Sequence, residues 1–131
     1  MREEINNWWK QSQKDLEVAK YNFKGGEYYA SAFFCQQSVE KGLKAYIILT
    51  NKESPGPIHS LIKLGRMAKL PQKFHKTLKE LTSEYYLSRY PDASEEAPYT
   101  LYNKEEAKEL INKTEKIIEW LDTQIKKQKK K

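Results

Sequence analysis

The chain has 131 residues, 38% hydrophobic and 32% charged, with a formal net charge of +6. That length fits one domain with a single core, and aromatics at 12% place it with globular rather than disordered chains. Five glycines and five prolines are too few for a many-turned β-sandwich, so the composition favours helices.

Residues 3–24 read as a first helix, because Ile5, Trp8, Ser12, Leu16, Ala19 and Phe23 recur at steps of three or four. The glycine pair at 25–26 ends it. Residues 27–50 read as a second helix with a stripe of Tyr28, Ala32, Cys35, Val39, Leu43 and Tyr46. Ala30, Phe33, Phe34 and Ile48 make its other side apolar as well, so it is expected to be buried on two sides. Gln37, Glu40, Lys41 and Lys44 share one polar arc of it, with Glu40 and Lys44 in the favourable i,i+4 order. NKESPGP (51–57) is a loop.

IHSLIKLGRMA (58–68) reads as a short helix that His59 begins and Gly65 ends. A fourth long helix is expected from about Pro71, with Phe74, Leu78, Leu81 and Tyr85 inward and His75, Lys79, Thr82, Tyr86 and Arg89 on a polar stripe. SRYPD (88–92) stops it, since Pro91 pushes Tyr90 out of helical geometry. After an acidic, then aromatic loop (93–102), a last helix runs from about 103 to 127 with Asn103 as N-cap. The predicted fold is all-α, an up-and-down bundle of four long helices plus one short one. Residues 1–125 form its single domain, nearly neutral with 19 basic and 18 acidic residues, and 126–131 form a lysine tail.

Chemistry-bearing motifs are few. KGGEYY follows a helix and is a turn, not a phosphate loop. The Ser, His and Asp residues show no triad spacing. One cysteine excludes an internal disulfide, and Cys35 reads as a buried small hydrophobe. Two distant histidines and one cysteine give no zinc spacing, so no metal and no cofactor are expected. The charged start MREEINNWWK is no signal peptide and no run spans a membrane, which points to a soluble cytoplasmic protein. Asp15 borders the first helix's apolar face and suits a salt bridge to a neighbouring helix. His59 reads either as a capping, solvated residue or as a chemical one.

Arg89, Tyr90 and Asp92 admit two readings that stay open in the sequence. They form an Arg–Asp clamp that fixes the loop, or they form an anion-plus-ring site in which arginine takes phosphate and tyrosines such as Tyr85 stack on a base.

The segment from WWKQSQKDLEVAKYNFKGGEYYASAFFCQQSVEKGLKAYIILTN, followed by IHSLIKL and YYLSRYPD, resembles the HEPN domain family (higher eukaryotes and prokaryotes nucleotide-binding) over residues 6–122. The resemblance implies a helical bundle, a homodimer, and a minimal nucleotidyltransferase as the partner of small stand-alone members, in toxin–antitoxin or nucleotide-modifying pairs. It points to Arg89, Tyr90, Asp92, Gln37, Glu40, Lys41, Lys44, His59, Tyr85 and Asp15 as residues that bind a nucleotide, RNA or the partner. Other members are metal-independent ribonucleases whose arginine precedes a histidine by four to six intervening residues. Here Arg66 and His75 are separated by eight, so a ribonuclease would need a displaced site, with Arg89 as phosphate ligand and His59 or His75 as base. A purely structural interaction dimer is the third reading.

Overall fold

The computed structural model describes residues 2–129. Three long helices, α1 (Arg2–Lys24), α2 (Tyr28–Asn51) and α6 (Lys104–Lys129), carry the bundle, with shorter helices α3 (Leu61–Met67), α4 (His75–Thr82) and α5 (Glu84–Leu87) between the last two. No strand occurs among the described residues. Helix α2 is the axis: α1 and α6 both pack along it, and α3, α4 and α5 all touch it. Its two-sided apolar pattern therefore predicts its position correctly. Fourteen of its residues are buried, so few of its side chains meet water.

Small residues let α1 and α2 approach closely. Ser12 Oγ donates to the Ser38 carbonyl at 2.6 Å, and Ser38 Oγ donates to the Ser12 carbonyl at 2.8 Å. The pair satisfies two buried hydroxyls reciprocally. One turn on from Ser38, a methyl group on Gly42 would sit 3.0 Å from Ser12 Oγ and 3.1 Å from Leu121 Cδ1, so bare backbone serves both helix contacts.

The turn and cap signals hold. Gly26 adopts φ +78° after α1. Asn103 Oδ1 accepts from the Glu106 N–H at 2.9 Å, which caps α6, and its side-chain amide donates to Glu106 Oε1 at 2.8 Å. Tyr90 is extended (φ −119°, ψ 122°) ahead of Pro91. Helix α6 continues through Lys126, Lys127 and Lys129; Lys130 and Lys131 of the expected tail lie outside the described residues.

Three details differ from the sequence expectation. The fourth long helix is divided into a 3-10 turn at Gln72–Phe74, α4 and α5, with Ser83 as a single residue of turn between α4 and α5. The Ser83 hydroxyl donates to the Glu80 carbonyl at 3.0 Å, the local bond by which serine competes with the helix ladder. His59 lies before α3, because Ser60 is the N-cap and accepts from the Lys63 N–H. Gly65 sits inside α3 rather than ending it. Its bare Cα is where Leu78 of α4 packs, since a Cβ there would come 2.5 Å from Leu78 Cδ1.

Cys35 is fully buried, and that burial pushes its thiol up to about 12. The loop before α6 is tied back by the Tyr102 hydroxyl, which donates to the Glu84 carboxylate. Burial holds the Glu84 carboxyl above its ordinary range, and the bond from Tyr102 opposes that shift.

Leu78 is fully buried and cannot swing aside cheaply. Gly65→Ala should therefore lose about 1–3 kcal/mol to overpacking, more than the roughly 1 kcal/mol that alanine gains over glycine in a helix. Urea unfolding of the variant, with Leu78→Ala as a second background that removes the clash, measures both contributions.

Candidate functional site

The site grows from one stripe of α2. Phe33, Gln36, Glu40 and Lys44 follow one another at steps of three, four and four, and so share a face. Glu40 and Lys44 are both buried, at 4% exposure each. A buried charge must be compensated where it lies. Lys44 Nζ pairs with Glu40 Oε2 at 3.1 Å and stands 5.3 Å from the Trp8 ring of α1. Gln36 Nε2 donates to Glu40 Oε1 at 3.0 Å, and Gln37 Nε2 donates to Gln36 Oε1 at 2.7 Å.

The remaining partner of Glu40 comes from the loop before α3. His59 Nδ1 is 3.1 Å from Glu40 Oε1 and 3.3 Å from Oε2. A carboxylate only accepts, so Nδ1 carries the proton, and Nε2 of the neutral ring holds a lone pair. This loop is held in place at the α3 N-terminus, where the Leu61 N–H donates to Thr82 Oγ1 of α4 at 2.7 Å.

The imidazole leads outward. His59 stacks on Tyr85 with ring centroids 4.3 Å apart and planes 20° from parallel. The Arg89 guanidinium carbon is also 4.3 Å from the Tyr85 centroid, and 4.7 and 4.8 Å from Phe33 and Tyr90. Arg89 Nε donates to the Tyr85 carbonyl at 3.0 Å. No carboxylate lies within ion-pair distance of Arg89 among the described residues. Of the two readings open in the sequence, the Arg–Asp clamp does not form, and aromatic rings surround the guanidinium instead. Asp92 instead lines, with Arg89, Tyr86 and Tyr90, an open cleft of about 510 Å³.

The sequence-predicted residues fall into two groups. Glu40, Lys44, His59, Tyr85, Arg89 and Tyr90 form one connected row from the core to the surface, with Gln37 attached through Gln36 and Asp92 at the cleft. Asp15 and Lys41 form a separate pair that joins α1 to α2, with Gln11 Nε2 donating to Asp15 Oδ1 at 2.9 Å. That is the interhelical salt bridge expected of Asp15. Sequence reading missed Gln36, Phe33, Trp8 and Thr82 as parts of the network. Gln36 was signalled only by lying one turn before Glu40. No group of three potential metal-ligating side chains occurs among the described residues, and no helix there is long and apolar enough to cross a membrane.

The HEPN domain model matches residues 5–127, nearly the whole chain. The chain belongs to the HEPN domain family. Two solved structures share this HEPN fold. ST0689, an archaeal HEPN homologue, is 34% identical with a TM-score of 0.76, over 92% of this chain and 97% of that one. TT1696 from Thermus thermophilus is 27% identical with a TM-score of 0.80, over 91% of this chain and 96% of that one. No curated protein matches the chain.

Removing one partner of a buried pair strands the other charge in the interior. Glu40→Ala should cost about 3–5 kcal/mol, while Glu40→Ala combined with Lys44→Met should recover much of it. Chemical unfolding of the single and double variants gives the coupling energy; equal losses in both would show that Lys44 needs no compensation.

Proposed function

We propose that this HEPN protein is a nucleotide-binding accessory module that works as a homodimer beside a minimal nucleotidyltransferase. The observation that carries the nucleotide reading is Arg89. Its guanidinium carbon lies within 4.8 Å of three aromatic centroids, and the group makes no ion pair with an acid among the described residues. The rings hold the cation and leave for an anion the N–H donors that no carboxylate consumes. Tyr86 and Tyr90, 57% and 43% exposed, offer rings to a base at the same cleft. Asp92 offers an acceptor for a sugar hydroxyl or an exocyclic amine. The homodimer, the transferase partner and a toxin–antitoxin setting are supported by the family resemblance, and the exposed tyrosines give a second copy or a partner loop a surface to meet.

A second reading is favoured by His59. Its tautomer is set by a buried carboxylate, and it shares the Tyr85 ring with Arg89 although 29 residues separate the two in sequence. A histidine oriented by a carboxylate, with a phosphate-binding arginine nearby, has the parts for proton transfer in phosphodiester cleavage. His75 begins α4 and takes no part in the hydrogen bonds and ring stacking of this row.

Two experiments separate the readings. Ligand at a hundred times its Kd adds about 2.7 kcal/mol of stability. ATP, ADP, AMP or GTP should therefore raise the melting temperature by several degrees, and Arg89→Ala should abolish that rise while keeping the fold. No shift with any nucleotide would sink the binding reading. For the nuclease reading, RNA incubated with chelator present should be cut by the wild-type protein and about 10²–10⁴-fold more slowly by His59→Ala. Wild-type protein that leaves RNA intact, or cleavage that survives the change, refutes it.

A further inference from the structure

Helix α6 buries Ala107, Ile111, Thr114, Ile117, Ile118, Leu121 and Ile125. Beside that face runs a second row, Lys113, Lys116, Trp120, Thr123 and Lys127, at alternating steps of three and four. Within this row Trp120 reaches the Tyr46 ring of α2. The row's first four residues border a groove of about 590 Å³ whose far wall is the 3-10 turn and the first turn of α4, from Lys73 through Phe74 to Thr77, and Lys127 continues the row one turn beyond it.

The groove has a rigid aromatic floor. Trp120 packs edge-on against Phe74 (centroids 6.4 Å apart, planes at 66°) and against Tyr46 (5.9 Å, 77°). Two edge-on neighbours hold the indole in one orientation, yet Trp120 keeps part of its surface open to solvent. Lys73 Nζ lies 5.1 Å from the Phe74 ring, which keeps one cation at the rim.

The charges are unevenly compensated. Lys113 is held by Glu80 at 3.2 Å and Glu109 at 3.1 Å. Lys73, Lys116 and Lys127 form no ion pair among the described residues, and Glu119 is the one acid in the groove lining. From Lys116 to Lys127 the helix rises about 16 Å, with the indole between them.

We propose that the α4–α6 groove is a docking track for a short single-stranded nucleic acid, whose phosphates meet Lys73, Lys116 and Lys127 and whose bases lie against Trp120. A row of like charges with a π-face between them matches an evenly charged backbone that carries rings. An acidic peptide would match the charges and leave the indole unused. Nothing in the groove reads base edges, so recognition is of backbone and ring rather than of sequence. The groove is separate from the Arg89 cleft: Lys73 precedes α4 and Arg89 follows α5, at opposite ends of that segment. The proposal therefore stands or falls independently of the nucleotide reading.

Fluorescence anisotropy of the full chain with a short fluorescein-labelled oligouridine tests it. Binding should weaken with salt at a log–log slope of about −2, as three neutralised phosphates on a single strand require. Lys73→Ala combined with Lys116→Ala should cut the slope by more than half and the affinity by about tenfold or more, with the melting curve unchanged. Trp120→Leu should cost roughly another tenfold through lost stacking, measured on protein shown to be folded by circular dichroism. No binding, or a double variant that binds like wild type, overturns the proposal. So does binding that survives the double variant but is lost in Arg89→Ala or on truncation after Gln128, which would place the RNA in the tyrosine cleft or on the terminal lysines. Equal displacement of the label by polyglutamate and by unlabelled oligouridine would also overturn it, as the mark of a surface for acidic protein.

Discussion

The buried carboxylate of Glu40 is the point on which the site depends. Helix α2 is enclosed by α1, α6 and the shorter helices, so any charge on its inner faces must be balanced inside the protein. Lys44 supplies the opposite charge from the same helix, and an intrahelical pair adds no tertiary tie of its own. The ties come from the groups gathered around it: Trp8 of α1 beside the ammonium, and His59 from the loop before α3 on the carboxylate. A single acid thus recruits two other parts of the chain and sets the rotation of the imidazole that meets Tyr85.

Much of this architecture was legible in the sequence. The three long helices have apolar residues at unbroken helical spacing, and Gly26, Pro91 and Asn103 each act locally through backbone geometry or a cap, so neighbouring residues suffice to read them. The shorter helices were less legible for a physical reason. Between Pro71 and Ser88 the apolar period continues through Ser83, and only the local hydroxyl bond marks the division. Gly65 resembled a helix end because its actual partner, Leu78, comes from another helix. The site shows the same limit. Glu40 and Lys44 at i,i+4 resemble a surface pair, and their burial is decided by helices far away in sequence. Residue types singled out His59, Tyr85 and Arg89, but no local pattern signals that one ring would join them.

SRYPD shows how a stop signal acquires a second role. Pro91 forces Tyr90 into extended geometry, which turns the chain immediately after Arg89. With the helix ended there, Arg89 folds back, its Nε on the Tyr85 carbonyl and its plane among Phe33, Tyr85 and Tyr90. Had Asp92 taken the guanidinium in a bidentate pair, the donors would be consumed and the charge cancelled. Aromatic faces attract the cation through their quadrupoles without cancelling its charge. The charge stays available while its position is held.

The two ion pairs of α2 illustrate how similar residues serve different ends. Asp15 and Lys41 join α1 to α2, and with the Ser12–Ser38 hydroxyl exchange they fix the register of these two long helices. Glu40 and Lys44 sit one face away and contribute little to holding helices together. A hydrophobic pair of the same volume would serve stability as well or better. The expense of burying them becomes intelligible only through what Glu40 orients. His59 is 45% exposed at its side chain while its carboxylate partner is 5% exposed. The imidazole therefore links a dry, charge-balanced interior to the solvent-exposed surface beside Tyr85.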